Sequence, residues 1–135
     1  MRKIIVIILV ASLFLAACAT TQIKSVADVI TAPEKYVDKG ISVQGAVVID
    51  NRVKCTLQVC PEDNACCQTC SADLLLSSGD ALLRIKGGTC FGNNCEMSCT
   101  PLEQNKKYVV SGILRQENSE YHLELADYKE AANEE

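Results

Sequence analysis

Gly40-Ile41-Ser42-Val43-Gln44-Gly45-Ala46-Val47-Val48-Ile49 has a period of two. Ile41, Val43, Gly45, Val47 and Ile49 fall on one side, and Ser42, Gln44 and Ala46 on the other. That alternation predicts a strand with one buried face. Asp50-Asn51 follow as turn formers, and the period then resumes. Val53, Cys55, Leu57 and Val59 alternate with Arg52, Lys54, Thr56 and Gln58, so the two runs read as an antiparallel hairpin with Cys55 on its buried face.

Downstream, Leu74-Leu75-Leu76 and Ala81-Leu82-Leu83-Arg84-Ile85 flank Ser77-Ser78-Gly79-Asp80 and read as a third strand region, folded as a hairpin and ended by Gly87-Gly88. Tyr108, Val110, Gly112 and Leu114 alternate with Val109, Ser111 and Ile113. After the turn Gln116-Glu117-Asn118-Ser119 the pattern returns in Tyr121, Leu123 and Leu125 against His122 and Glu124. Upstream, Ser25-Val26-Ala27-Asp28 has a capping serine and an acid in the first turn. Val26, Val29 and Ile30 share a helical face, and Pro33 stops the helix near residue 32. A short helix over 25–32 is expected. Residues 60–71 and 89–106 read as loops that hold most of the cysteines.

There are nine cysteines. Cys55, Cys60, Cys66, Cys67, Cys70, Cys90, Cys95 and Cys99 lie in the domain, and an even number in a small exported domain predicts a disulfide framework. Eight cysteines allow roughly a hundred pairings. They form a group of five over 55–70 and a group of three over 90–99, so if all pair, at least one bond joins the groups. Adjacent Cys66 and Cys67 should take separate partners, because a bond between them needs a strained ring. Cys67-x-x-Cys70 has the spacing of a redox dithiol or half of a zinc site. Against that reading, no second C-x-x-C exists, and no βαβ pattern surrounds the motif.

The chain opens with Met1-Arg2-Lys3 and runs apolar from Ile4 to Leu15, interrupted at Ser12. Twelve helical residues rise about 18 Å, short of a hydrocarbon core of roughly 30 Å. A signal-peptide core fits better than a membrane span. Leu15-Ala16-Ala17-Cys18 resembles the lipobox of bacterial lipoproteins. The resemblance implies that residues 1–17 are removed and that Cys18 becomes the lipid-bearing N-terminus. Residues 18–24 then form a tether, 25–129 the domain and 130–135 an acidic tail. Ala19 is not the Asp that resembles an inner-membrane retention signal, so in a two-membrane host the implied location is the outer membrane, facing the periplasm.

Loss of Arg2 and Lys3 takes 13 basic residues to 11 against 17 acidic ones, a net charge of −6. Binders of a nucleic-acid backbone need a positive surface and stacking aromatics, so no nucleic-acid partner is expected. No G-x-S-x-G is present, and the single histidine, His122, falls on the polar side of its strand and reads as solvated. No enzymatic activity, metal or cofactor is expected.

The stretch Ala32-Pro33-Glu34-Lys35-Tyr36-Val37-Asp38-Lys39-Gly40-Ile41-Ser42-Val43-Gln44-Gly45-Ala46-Val47 resembles the start of small exported bacterial OB-fold proteins, whose first strand approximates P-x-x-Y-x-x-K/G-x-V-x-V-x-G-x-V. The hairpin 108–125 is similar to their last two strands. The resemblance implies an all-β, mainly antiparallel fold: a five-stranded, partly open barrel with a short N-terminal helix. Here the cysteine loop replaces the helix usual between the third and fourth strands. Many OB-folds bind oligonucleotides or oligosaccharides, and the negative charge argues against the former. Two functions are expected. One is a membrane-anchored, non-enzymatic binding or envelope-structural module with an envelope protein or glycan as partner. The other is a metal-binding or thiol-redox protein that uses the Cys55–Cys70 cluster.

Overall fold

The computed structural model describes residues 22–132. The expected signal segment 1–17, the expected lipidation site Cys18 and the last residues of the tail therefore lie outside the described residues. The elements are β1 (Ile23–Ser25), α1 (Val26–Thr31), a 3-10 turn (Pro33–Lys35), β2 (Gly40–Ile49), β3 (Lys54–Cys55), β4 (Thr69–Ser78), β5 (Ala81–Asn93), β6 (Met97–Thr100), β7 (Lys107–Glu117) and β8 (Glu120–Glu130).

The long first strand is shared between two neighbours. Gly40–Ala46 of β2 pairs antiparallel with β7, and Ala46–Ile49 pairs antiparallel with β4. β4 pairs with β5, β7 with β8, and β5 with β8 in parallel through Arg84–Lys86 and His122–Glu124. The circuit β2–β4–β5–β8–β7–β2 is therefore closed. It is a five-stranded OB-type barrel with short strands added at its edges.

The alternation in β2 and β7 is explained directly. Val43, Val47, Val110 and Leu114 are fully buried with Leu74, Leu76, Leu83, Ile85 and Leu123. Burying each such side chain contributes roughly 1.5–3 kcal/mol. α1 is too short to persist alone. Its first turn is closed by a capping box, in which Ser25 Oγ accepts from Asp28 N at 3.1 Å and Ser25 N donates to the Asp28 carboxylate at 3.1 Å. The Ser25 hydroxyl also donates to that carboxylate and holds it below the usual carboxylate range. Val26 and Val29 are completely buried in the barrel core. Ile30, expected on the same face, is exposed instead.

Three sequence expectations are corrected. First, 40–49 and 52–59 do not form a hairpin. The second run breaks after Cys55, and β3 pairs with β4 rather than β2. β2 already has β7 along one edge, while β4 takes the other edge of its C-terminal half, so no edge is left for the 52–59 run. Second, Gly87-Gly88 does not end a strand. β5 continues to Asn93, with a register break opposite Asp73/Leu74. Gly87 has φ +108°, and a Cβ on Gly88 would collide with Leu74, so both glycines bend one long strand across the core. Third, residues 89–106 are not all loop, because Thr89–Gly92 pairs with β6. In addition, Ile23 and Lys24, read as tether, already pair with β2.

Candidate functional site

Two features stand out on the outer surface of the barrel. One is an ionic cleft, and the other is a pole stapled by disulfides.

The cleft measures about 550 Å³ and lies between the segment after β2 and the start of β8, over the outer face of β4–β5. Its apolar lining comes from Val48, Leu75 and Leu82, together with Ile30 of α1 and Tyr121. Asp50, expected in a hairpin turn, is only 3 % exposed. The Arg52 guanidinium donates to it at 2.9 Å through Nη2 and at 3.2 Å through Nε, and Arg52 N donates to Oδ1 at 2.9 Å. Arg84 lies 3.6 Å from the same carboxylate, 3.2 Å from Glu120 and 3.8 Å from Asp73. The Arg52 hydrogen bonds outweigh the cost of burial and hold the Asp50 carboxyl below its usual range.

Both guanidiniums are thus neutralised by three carboxylates. The cluster has no surplus positive charge to offer a phosphate chain. A second hollow, of about 490 Å³, is lined mainly by small residues such as Gly45, Ala46, Ser77, Ser78 and Gly79.

The sequence reading did not find this cleft. One signal for it was Arg84, a charge at an outward position of an otherwise apolar run. His122 is also corrected. It is 6 % exposed, with Nε2 buried and unpartnered among the described residues. Its cross-strand neighbours on the same outer face are Arg84 and Arg115.

The eight domain cysteines form four disulfides: Cys55–Cys70, Cys60–Cys67, Cys66–Cys95 and Cys90–Cys99. Cys66 and Cys67 do take separate partners, and Cys66–Cys95 joins the two sequence groups as parity requires. Cys67 and Cys70 of the C-x-x-C are bonded to others rather than to each other. Cys55–Cys70 and Cys90–Cys99 join directly opposed residues of β3/β4 and β5/β6, each with Cα atoms 4.0 Å apart. Asn94 reinforces the staple. Its side chain donates to Ala65 O at 2.8 Å and accepts from Gln68 N at 3.1 Å. Among the described residues no group of three or more His, Cys, Asp or Glu is placed to hold a metal ion.

The stapled pole carries Leu57 and Val59 at 103 % and 92 % exposure. Comparison of the chain with protein-family models, with curated proteins and with solved structures finds no match.

Proposed function

We propose that this protein is an exported, lipid-anchored, non-enzymatic binding module whose ligand is a sugar chain of the cell envelope held in the Asp50–Arg84 cleft. The observation that carries the reading is the cleft itself. It combines neutralised guanidiniums, carboxylates, one tyrosine and aliphatic lining residues. Paired, planar hydrogen-bonding groups beside apolar surface suit hydroxyl-rich ligands, whereas a polyanion needs free positive charge.

Export is supported by the ordered signal, h-region and lipobox of residues 1–18, and by a domain whose cysteines are consumed in disulfides, the state favoured by oxidising compartments. Lipid on Cys18 would anchor the chain, in a two-membrane host to the outer membrane. The test is calorimetric titration of the protein with envelope-derived oligosaccharides and with single-stranded DNA. Micromolar glycan binding is expected, weakened at least tenfold by Arg84→Ala or Tyr121→Ala, with no DNA binding at physiological salt. Sub-micromolar DNA binding, or stoichiometric zinc together with reactive thiols in the purified protein, would replace this reading.

A further inference from the structure

Val53, Cys55, Leu57 and Val59 have the alternation of a half-buried strand, yet the domain half-covers only Cys55 and leaves Leu57 and Val59 bare. Val53 is also exposed, and the intervening side chains are Lys54, Thr56 and Gln58. β3 is a terminal strand of the sheet. Its ladder with β4 continues past Cys55, because Thr56 N donates to Thr69 O at 2.9 Å. In an antiparallel ladder, alternate residues direct their backbone groups toward the partner. Thr56 faces β4, so the N–H and C=O of the adjacent Cys55 face outward, and among the described residues no turn or loop backbone bond engages Leu57 just beyond β3. Cys55–Cys70 and Cys60–Cys67 fix both ends of this segment.

We propose that this stapled edge, residues 53–59, is a docking strand for an extended segment of a different envelope protein. That segment would be apolar at alternate positions and acidic at the position facing Lys54. Adding a strand satisfies the outward backbone groups and covers Leu57 and Val59 in one step. Lys54 supplies the charge preference, since it has no ion pair among the described residues. A lone lysine on an open edge also discourages indiscriminate pairing.

Two other occupants are disfavoured, and both arguments rest on the anchoring reading above. The four residue-to-residue steps from Cys18 to Gln22 reach about 14 Å at most. They hold the β1 pole at the membrane. β1 lies level with Ser77, through Gln44 and Ala46 of β2, whereas Cys55 pairs with Cys70. The intervening strand is roughly 23 Å long, so the 53–59 edge lies about a strand length from the tethered end. Antiparallel pairing with a second copy would reverse that copy along the strand and point its tether to the far side. The net charge of −6 on the mature chain adds repulsion between copies.

The experiment measures binding of a synthetic nonapeptide alternating valine with glutamate and threonine. Its scrambled isomer and a backbone N-methylated version serve as controls, all titrated by fluorescence anisotropy into the full chain in nanodiscs. The alternating peptide should bind, and at least tenfold more weakly when scrambled, when N-methylated, or when the protein carries Leu57→Lys with Val59→Lys. Both side chains are solvent-exposed, so an unchanged disulfide map shows that the double variant still folds. Equal binding of all three peptides, or binding unaffected by the double variant, overturns the proposal. So does Leu57-dependent flotation of the Cys18→Ser chain on phosphatidylethanolamine–phosphatidylglycerol vesicles, or Leu57-dependent dimerisation in sedimentation. Peptide binding by the Cys18→Ser chain is independent of lipid, so failure of the anchoring reading is recorded separately.

Discussion

At the scale of single residues, Asp50 is the most consequential polar group. Its carboxylate is buried and accepts from Arg52, with Arg84 beside it. Asp50→Asn keeps the shape and removes the charge, and is expected to cost about 1–2 kcal/mol at pH 7 by urea denaturation. The folded carboxyl titrates below its ordinary value of 3.8. Its contribution is therefore complete above that value and is lost as pH falls through the lowered one. The difference between wild type and Asp50→Asn should accordingly shrink below pH 3.8. An equal difference at both pH values would mean that the charge is not what stabilises the site. Gly112 makes a steric prediction. It sits at the β7–β8 register break, where a Cβ would collide with the Glu124 carbonyl oxygen. Gly112→Ala should cost about 1–3 kcal/mol, read as a lower urea midpoint.

At the scale of elements, the disulfides differ in what they restrain. Cys66–Cys95 spans 29 residues and Cys60–Cys67 spans seven. Chain-entropy reasoning assigns about 3.6 kcal/mol to the longer closure and about 2.5 kcal/mol to the shorter. Paired Cys→Ala variants should show that order in thermal melts, and the reverse order would point to native-state packing at Cys60–Cys67 instead. The strands most legible in the sequence are β2, β7 and β8, because each has one face on the core and alternates accordingly. The Ser25 cap of α1 was equally legible, since its hydrogen bond joins residues three apart, whereas the return bond from Ser25 N to Asp28 emerges only in the structure. Pairing partners were not legible. The 52–59 run has the right period, but a period does not say which edge is free. Likewise Gly87-Gly88 resembles a stop until the register break beside Leu74 shows that it bends a continuing strand. The cleft was hidden for the same reason: Asp50, Arg84 and Glu120 are far apart in sequence and meet only through barrel closure. His122 alternates as a polar residue yet is covered in the folded domain.

At the scale of the whole molecule, the barrel presents two separate surfaces. The ionic cleft lies on the wall, and the stapled edge lies at the pole away from Gln22. The rigidity of that pole depends on cross-links, since residues 56–68 have little buried apolar surface of their own. Reduction should therefore release this segment before the barrel melts. Hydrogen exchange should show 56–68 losing protection while β2 and β7 keep theirs, and simultaneous loss in all three would mean a single cooperative unit. On the proposed reading, this oxidised barrel is carried by an exported chain lipidated at Cys18. The most direct test is intact and peptide-level mass spectrometry of the non-reduced protein taken from its own membrane fraction. The expected product is a chain that begins at an acylated Cys18 and contains the four disulfides, with Cys66 bonded to Cys95. A chain that retains Met1, or one with its eight domain cysteines as free thiols, would contradict it.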